Sequence, residues 1–468
     1  MEDGVPYINN HIRLIIKYHK DPDSFQGSRI VGFEVEPYSV KHKYSTWPTL
    51  KSCSPLQAVR SDMEPQRVDK PGEIVWSYDV RWDFSDVKWA SRWDMYVLST
   101  DDQIHWFSII NSLMIVIFLS GMVGMIMLRT LSQDILSYNE VLDEEDAREE
   151  TGWKLVHGDV FRPPAYFNLL SVAIGTGAQL VACAFIVLIT ACLGFLSPAQ
   201  RGSLITAMLL LFVFMGIFAG YFSSRMYKMC KGVDWKLNTV MTAMWFPSIV
   251  FGIFFFLNFF VWGEHSSGAV PFSTLLVLMF LWFGISTPLV FLGAYFGFKK
   301  KPIEFPVALH QIPRMVPAQP WYMHPAISIA MGGLLPFGAV FIELFFILSS
   351  IWLHHYYYVF GFLLLVFVIL GITCSEICIV LCYFQLCSED YHWWWRSFLT
   401  AGSSAFYMFL YSIFYFYSKL EITKFVSVLL YFGYMWIICF AFFILTGTIG
   451  FCSCFYFVYH IYGAIKVD

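Results

Sequence analysis

The stretch that decides the fold class is residues 327–352, ISIAMGGLLPFGAVFIELFFILSSIW. Its 26 residues carry one charged group, Glu343. A helix rises ~1.5 Å per residue, so a segment of this length exceeds the ~30 Å hydrocarbon core of a bilayer. The stretch therefore predicts a transmembrane helix.

Two features of this stretch point beyond simple membrane anchoring. An ionisable group at membrane depth is costly, so Glu343 is by default a functional-site hypothesis. The small residues and the helix-bending proline before it, Gly332, Gly333, Pro336 and Gly338, permit bending and close helix approach. Glu343 either belongs to a transport path or is a protonated polar link inside a helix bundle.

The remaining composition indicates a polytopic α-helical membrane protein. The chain is 57% hydrophobic and only 14% charged, whereas a soluble chain carries roughly 25% charged residues. From residue 104 onward, apolar blocks alternate with short polar gaps. Nine transmembrane helices are predicted at 104–128, 169–195, 204–227, 239–262, 272–296, 327–352, 358–384, 398–417 and 425–457.

Residues 1–103 have a different pattern. Apolar residues alternate over 11–18, 31–35 and 73–82, which is typical of short antiparallel strands. We predict a β-sandwich-like domain on the exoplasmic side, with its tryptophans (Trp76, Trp82, Trp89, Trp93) in the core. No apolar leader precedes it, and Cys53 is its only cysteine. We therefore expect further sequence upstream, including a partner for Cys53.

The basic residues orient the predicted helices. If residues 1–103 lie outside, the inside gaps hold 14 Lys and Arg, against Arg201, Lys419 and Lys424 outside. Cytosolic loops carry such an excess. The expected cytosolic segments are the loop 129–168, the proline-rich connector 299–326 and the tail 458–468.

Several longer strings resemble one family, the nonaspanins or transmembrane 9 superfamily. They are HWFSIINS (105–112), GWKLVHGDVFRPP (152–164), WGEHSSGAVPF (262–272), QIPR (311–314), YFQLCSEDYHWWWR (383–396) and LTGTIGF (445–451). The resemblance covers the chain from about residue 9 to its end. It implies a lumenal N-terminal domain and nine helices, which the charge pattern reaches independently.

The resemblance also implies a function and a location. The implied location is Golgi and endosomal membranes. The implied function is the sorting of client membrane proteins, with effects on adhesion and phagocytosis. The terminal Lys466 and Asp468 resemble the family's Lys-x-Asp signal, which implies recognition by the COPI coat. The other partners expected are the transmembrane segments of client proteins and the lipid bilayer.

The rival hypothesis is a proton-coupled transporter or channel, or a factor that tunes organelle acidification. Glu343 and Glu376 are the two acids inside predicted spans. Helical rise places them about 12 Å apart in height, which is too far for a shared proton. Cys374, Cys378 and Cys382 lie on the opposite face of the same helix from Glu376, so no metal site is expected there.

Two further sets of residues are candidates. Two GxxxG pairs, Gly216/Gly220 and Gly293/Gly297, together with the glycines and proline of 332–338, serve helix packing or line a groove for client helices. His265, His354 and His355 lie in predicted lumenal turns, where acidification is able to charge them. The sequence carries no enzyme motif, and neither a cofactor nor a nucleic-acid partner is expected.

Overall fold

The computed structural model describes residues 7–20, 27–42, 44–46, 49–50, 64–69, 72–87, 89, 92, 106–126, 128, 132, 152–193, 195, 202–266, 268–353, 357–420, 422 and 424–464. The chain divides into two compact units, Met1–Ile104 and His105–Asp468. This boundary lies one residue from the predicted one.

The N-terminal unit contains five described strands. β1 (His11–His19), β2 (Arg29–Tyr38) and β5 (Ser77–Phe84) form a three-stranded sheet in the order β2-β1-β5, and β3 (Tyr44–Thr46) pairs with β4 (Thr49–Leu50). β1 and β2 are antiparallel, as expected. β1 and β5 are parallel, so the prediction of antiparallel strands is wrong for that pair. A long connection separates these two strands and lets the chain return in the same direction.

Side-chain burial in this sheet departs from the prediction. Trp76, Trp82 and Trp89 are 62%, 58% and 45% exposed, so they are not core residues, and Trp93 lies outside the described residues. Alternation fixes which side chains share a face, but it does not say whether another layer covers that face. A sandwich stays a prediction.

The second unit is a helix bundle. Its helices are α1 (Trp106–Met125), α2 (Phe167–Cys192), α3 (Ser203–Phe214), α4 (Gly216–Met229), α5 (Trp235–Gly263), α6 (Phe272–Phe280), α7 (Thr287–Lys299), α8 (Pro325–Leu353), α9 (Tyr357–Cys387), α10 (Trp393–Gly402), α11 (Ser404–Lys419) and α12 (Phe425–Gly463). Short 3-10 turns lie at Trp153–Val156 and Trp321–Met323, and a π-helical segment, Leu281–Ser286, joins α6 to α7.

Seven helical stretches of the described residues are long and apolar enough to cross a membrane, so this is a multi-pass membrane protein. They correspond to seven of the nine predicted spans. α1 and α8 lie at the other two, and their described apolar parts are Val116–Met125 and Pro325–Gly338. The number nine stays a prediction. α12 continues to Gly463, six residues past the predicted end at 457.

The main core of the bundle lies where α9, α10 and α12 meet the 3-10 turn at 153–156. Its fully buried large side chains include Trp153, Trp393, Phe451 and Tyr462. The Tyr462 hydroxyl donates to the Trp153 carbonyl at 2.7 Å. This bond lets an amphipathic ring fill the core without leaving a buried polar group unpaired.

A proline in α5 is compensated by a second span. Pro247 has no N–H, so the carbonyl four residues earlier, at Ala243, lacks its helical donor. The indole Nε1 of Trp282 donates to that carbonyl at 3.0 Å. Trp282 lies in the π-helical segment immediately before Thr287 and Pro288. A side chain of the π-helical segment thus satisfies the backbone carbonyl that the proline of α5 leaves without its helical donor.

Candidate functional site

The two GxxxG pairs meet at one helix crossing, between α4 and α7. A Cβ built on Gly220 would lie 2.0 Å from the Val290 carbonyl oxygen, and one built on Gly293 would lie 2.0 Å from that of Ile217. Gly216 faces Ser286 and Val290, and Gly297 faces Tyr221 and Ser224. The four glycines therefore permit backbone contact within this chain, and the space beside them is filled.

The glycines of α8 divide into two groups. Gly332 packs against Thr400 of α10, and Gly333 packs against Ser403 and the backbone at Ser404. Among the residues that the structure describes, none has an atom within 4 Å of the Gly338 Cβ position. α8 is therefore packed tightly before Pro336. Beside Gly338, two residues after this proline, the described residues leave an open space.

Two hydrogen bonds hold the packed part of α8. The Ser403 hydroxyl donates to the Ile329 carbonyl at 2.7 Å, and the Tyr407 hydroxyl donates to the Ala330 carbonyl at 2.8 Å. On the exposed side, Gly338 continues a helical stripe that we call the open face of α8. Its members are Met331, Leu334, Leu335, Gly338 and Phe341.

The two intramembrane acids lie on α8 and α9. Glu343 is within α8, but its side chain lies outside the described residues. Glu376 accepts a hydrogen bond from the Ser120 hydroxyl of α1. Its other oxygen, Oε2, is buried and has no partner among the described residues. The carboxyl group thus joins two spans through one oxygen and leaves the second unused.

The cysteine stripe of α9 is part of the main core. Cys374, Cys378 and Cys382 are all buried, at 0%, 1% and 4% exposure, and Cys378 Sγ lies 3.7 Å from the Ser397 carbonyl. Within the described ranges, no three His, Cys, Asp or Glu side chains are grouped so as to hold a metal ion. These thiols act as small packing groups.

Polar and aromatic residues from three separate segments meet at one end of the bundle. We call this the loop cap, and it consists of residues 152–164, 306–314 and 388–396. The indole nitrogens of Trp393 and Trp394 donate to the Val160 carbonyl at 2.9 and 3.2 Å. The buried Asp159 carboxylate accepts from the Arg162 side chain at 2.6 Å and from the Arg314 backbone N–H at 3.2 Å. The cap therefore fixes loops that are over 200 residues apart in sequence.

A buried ion pair closes the cap against α8. Asp390 accepts from Arg396 at 3.1 Å, and Arg396 also donates to the Met323 carbonyl at 2.6 Å. Burial alone would raise the pKa of Asp390. Hydrogen bonds from the His392 ring and backbone, with the charges of His392 and Arg396, outweigh burial and lower that pKa. Asp390 thus stays ionised and holds the buried guanidinium.

Of the histidines singled out from the sequence, the structure describes one. His265 is exposed in the turn after α5, in a left-handed backbone conformation with φ 50°. The other two, His354 and His355, lie outside the described residues, as do Lys466 and Asp468 of the terminal signal.

The sequence analysis did not identify a second pair of histidines in the sheet unit. The His11 and His42 rings contact the Ser77 hydroxyl from two sides, at 2.8 and 2.7 Å. Burial lowers the pKa of both histidines; in His11 the nearby Asp79 opposes this shift. The sequence signal was misleading, since alternation places His11 on the face of Arg13 and Lys17, opposite Ile12, and so predicts an exposed residue.

Comparison with known proteins bears on the whole chain. The family model described as Endomembrane protein 70 matches residues 1–425. The chain is 61% identical over 468 residues to "Transmembrane 9 superfamily member 9" of Arabidopsis thaliana, covering 99% of this chain and 72% of that protein. This chain belongs to the transmembrane 9 superfamily.

Animal nonaspanins are also similar. The chain is 52% identical to "Transmembrane 9 superfamily member 4" of Homo sapiens, over 99% of this chain and 72% of that protein. It is 52% identical to human "Transmembrane 9 superfamily member 2", over 99% and 69%. No solved structure matches. These relatives are named as membrane proteins, and none of the three names states an enzymatic activity.

The nonaspanin strings now have a structural meaning. Three of them, 152–164, 311–314 and 383–396, supply residues of the loop cap. Their density of Trp, Asp, Arg and Pro is explained by side chains that satisfy backbone groups between loops. The resemblance therefore rests largely on residues that hold the bundle together at one end.

Proposed function

We propose that this nonaspanin sorts other membrane proteins by binding their transmembrane segments at the open face of α8, in Golgi and endosomal membranes. In this proposal nine helices span the membrane, the N-terminus is lumenal and the C-terminus is cytosolic. Client levels at the cell surface then set adhesion and phagocytosis.

The observation that carries the proposal is the divided packing of α8. The first part of the helix is fixed through Ser403 and Tyr407. After Pro336, Gly338 offers room for a close helix contact, since no atom of the described residues lies within 4 Å of its Cβ position. Without a hydrophobic driving force in lipid, such close approach is what drives helix association.

The first test fills this space. Gly338→Leu should abolish the recovery of client surface levels when the variant is expressed in knockout cells. Gly252→Leu is the matched control, because Gly252 of α5 also has nothing within 4 Å. Client recovery by Gly338→Leu equal to that by Gly252→Leu would refute the groove.

The second test concerns retention. Lys466→Ser, or one residue appended after Asp468, should move the protein toward the plasma membrane, because a COPI pocket that reads the ammonium and terminal carboxylate loses its ligand. Val467→Ala changes neither charge and is the control. Unchanged Golgi localisation of the Lys466 variant would remove the tail assignment.

Proton or ion transport is the second candidate, and the unpartnered Oε2 of Glu376 favours it. It predicts flux in proteoliposomes that is lost in Glu376→Gln or Glu343→Gln, because an amide cannot carry a proton. Ser120→Ala removes only the hydrogen bond to Glu376 and should retain flux. Client sorting that survives both glutamine variants, with no flux in the wild type, would reject transport.

A further inference from the structure

Basic residues from two distant parts of the chain, 225–236 and 299–301, meet at the ends of α4, α5 and α7. The Lys228 ammonium of α4 donates to the carbonyls of Phe298 and Lys300 at 2.5 and 2.7 Å, and Arg225 donates to the Lys301 carbonyl. These contacts bring the helix ends side by side. We call the resulting surface the basic end; it comprises Arg225, Lys228, Lys231, Lys236, Lys299, Lys300 and Lys301.

The basic end differs from other arginines on the same side of the bundle. Arg162, Arg314 and Arg396 each pair with a carboxylate, at 2.6, 2.9 and 3.1 Å. In the described part of the chain, no carboxylate lies within 4.0 Å of any of the seven cations of the basic end. Its charge is therefore not neutralised locally.

Two of the seven cations, Arg225 and Lys228, donate hydrogen bonds to backbone carbonyls and are half-buried. The other five cations, all of them lysines, are exposed. They concentrate positive charge where α7 ends, and the carbonyl end of a helix already favours cations there. The two fixed cations act as a scaffold. Of the exposed lysines, Lys300 donates to the Tyr221 hydroxyl at 3.0 Å, and each ammonium group has three donors with which to bind a ligand.

Aromatic residues place this surface at a membrane boundary. Lys236 lies 5.7 Å from the ring centre of Trp235, and Lys299 lies 6.0 Å from that of Tyr295. Trp235 and Tyr295 are themselves 47% and 61% exposed. Exposed Trp and Tyr beside Lys are typical of the headgroup level of a bilayer.

We propose that the basic end binds the phosphorylated headgroup of an anionic membrane lipid. Clusters of four to eight Lys and Arg immediately outside a membrane helix recognise such lipids. Ammonium groups on flexible stems suit phosphate as point charges. The exposed apolar flanks of α4 and α7, including Phe222 and Phe296, face the acyl chains, so the ligand is a lipid and not a soluble phosphate compound.

The test uses the purified full chain in neutral detergent. Native mass spectrometry measures the apparent Kd for dioctanoyl phosphatidylinositol 4-phosphate, with dioctanoyl phosphatidylcholine and inositol 1,4-bisphosphate as comparison ligands. Each lysine near a lipid surface contributes about a fivefold change in affinity. Lys231→Gln with Lys301→Gln should therefore weaken phosphoinositide binding about 25-fold.

Two control variants separate charge at this site from charge elsewhere. Lys231→Arg with Lys301→Arg keeps both charges and should bind as the wild type does. Lys419→Gln with Lys424→Gln removes two exposed lysines between α11 and α12, at the helix ends away from the loop cap, and should have no effect. If the double glutamine variant does not fold, Lys301→Gln alone should show about a fivefold loss.

Three results would overturn the proposal. Phosphatidylcholine binding as tightly as the phosphoinositide removes the charge recognition, and wild-type affinity in the folded glutamine variants removes the site. Equal affinity for inositol 1,4-bisphosphate removes the lipid as the ligand. A failure of client sorting leaves these measurements unchanged, because they require only the folded bundle.

Discussion

Replacing Gly293 by alanine tests a backbone-to-backbone helix contact between α4 and α7. The new Cβ would lie 2.0 Å from the Ile217 carbonyl oxygen and 2.8 Å from its carbonyl carbon. A comfortable carbon–oxygen contact is about 3.3 Å or more, so the gap is short by more than 1 Å. Because both atoms belong to the backbone of Ile217, no side-chain rotation relieves the clash, and α4 and α7 must separate.

The magnitude follows from two opposing terms. Overpacking a close contact costs about 1–3 kcal/mol, while alanine gains up to about 1 kcal/mol over glycine in a helix. Where the full propensity gain applies, we expect a net destabilisation of up to about 2 kcal/mol. Gly371→Ala in α9 is the matched control, because no atom of the described chain lies within 4 Å of its Cβ position. It keeps only the propensity gain and should be stabilised.

The assay is thermal unfolding of the purified protein in detergent, followed by loss of helical circular dichroism at a fixed scan rate. Gly293→Ala should unfold below the wild type and Gly371→Ala at or above it. Gly220→Ala meets the Val290 carbonyl and should resemble Gly293→Ala. The double variant should cost less than the sum, since the helices separate once. Shifts of equal sign at Gly293 and Gly371 would refute the reasoning.

Three further predictions concern other parts of the chain. The pKa of His11 is lowered, so its neutral form stabilises the sheet fully above pH ~6.5, and this contribution is lost as pH falls through the folded pKa. Hydrogen-exchange protection of β1, corrected for intrinsic rates, should therefore drop on acidification. The drop should be smaller in His11→Gln. Trp282→Phe leaves one carbonyl of α5 without a donor and should cost about 1–3 kcal/mol; adding Pro247→Ala, which restores the helical donor, should recover thermal stability. Asp390→Asn leaves the buried Arg396 charge unpaired and should cost about 3–5 kcal/mol, and a melting midpoint equal to that of the wild type would contradict a structural ion pair.

The spans were the most predictable part of the structure. Runs such as 272–296 predicted the continuous stretch of α6, the π segment and α7, which ends at Lys299. In lipid every backbone polar group must be satisfied within the chain, so a long apolar run has few alternatives to a helix. Periodicity did not predict the π-helical segment or that its Trp282 donates to the Ala243 carbonyl of the proline-containing α5, because both involve contacts beyond the local sequence.

The sites were less predictable. The spacing of Gly216 and Gly220 indicates a close helix contact, but not that Gly293 and Gly297 lie opposite. Likewise, Arg225 of α4 and Lys301, which follows α7, are 76 residues apart, and only the packing of α4 on α7 joins them. The alternation in 73–82 identified a strand but assigned Trp76 and Trp82 to a core that the structure does not build around them.

Residues 327–352 show which features the sequence determines and which depend on the tertiary structure. By itself the sequence determined a long helix that contains Pro336 and one acid, because hydrophobic length and helix-forming chemistry are local properties; that it crosses the membrane stays a prediction. Only the tertiary structure decided that Gly332 and Gly333 are packed against α10 and α11 while Gly338 is open. The physical reason is that close packing depends on the shape of a neighbouring helix, and spacing along one chain specifies a face but not its partner.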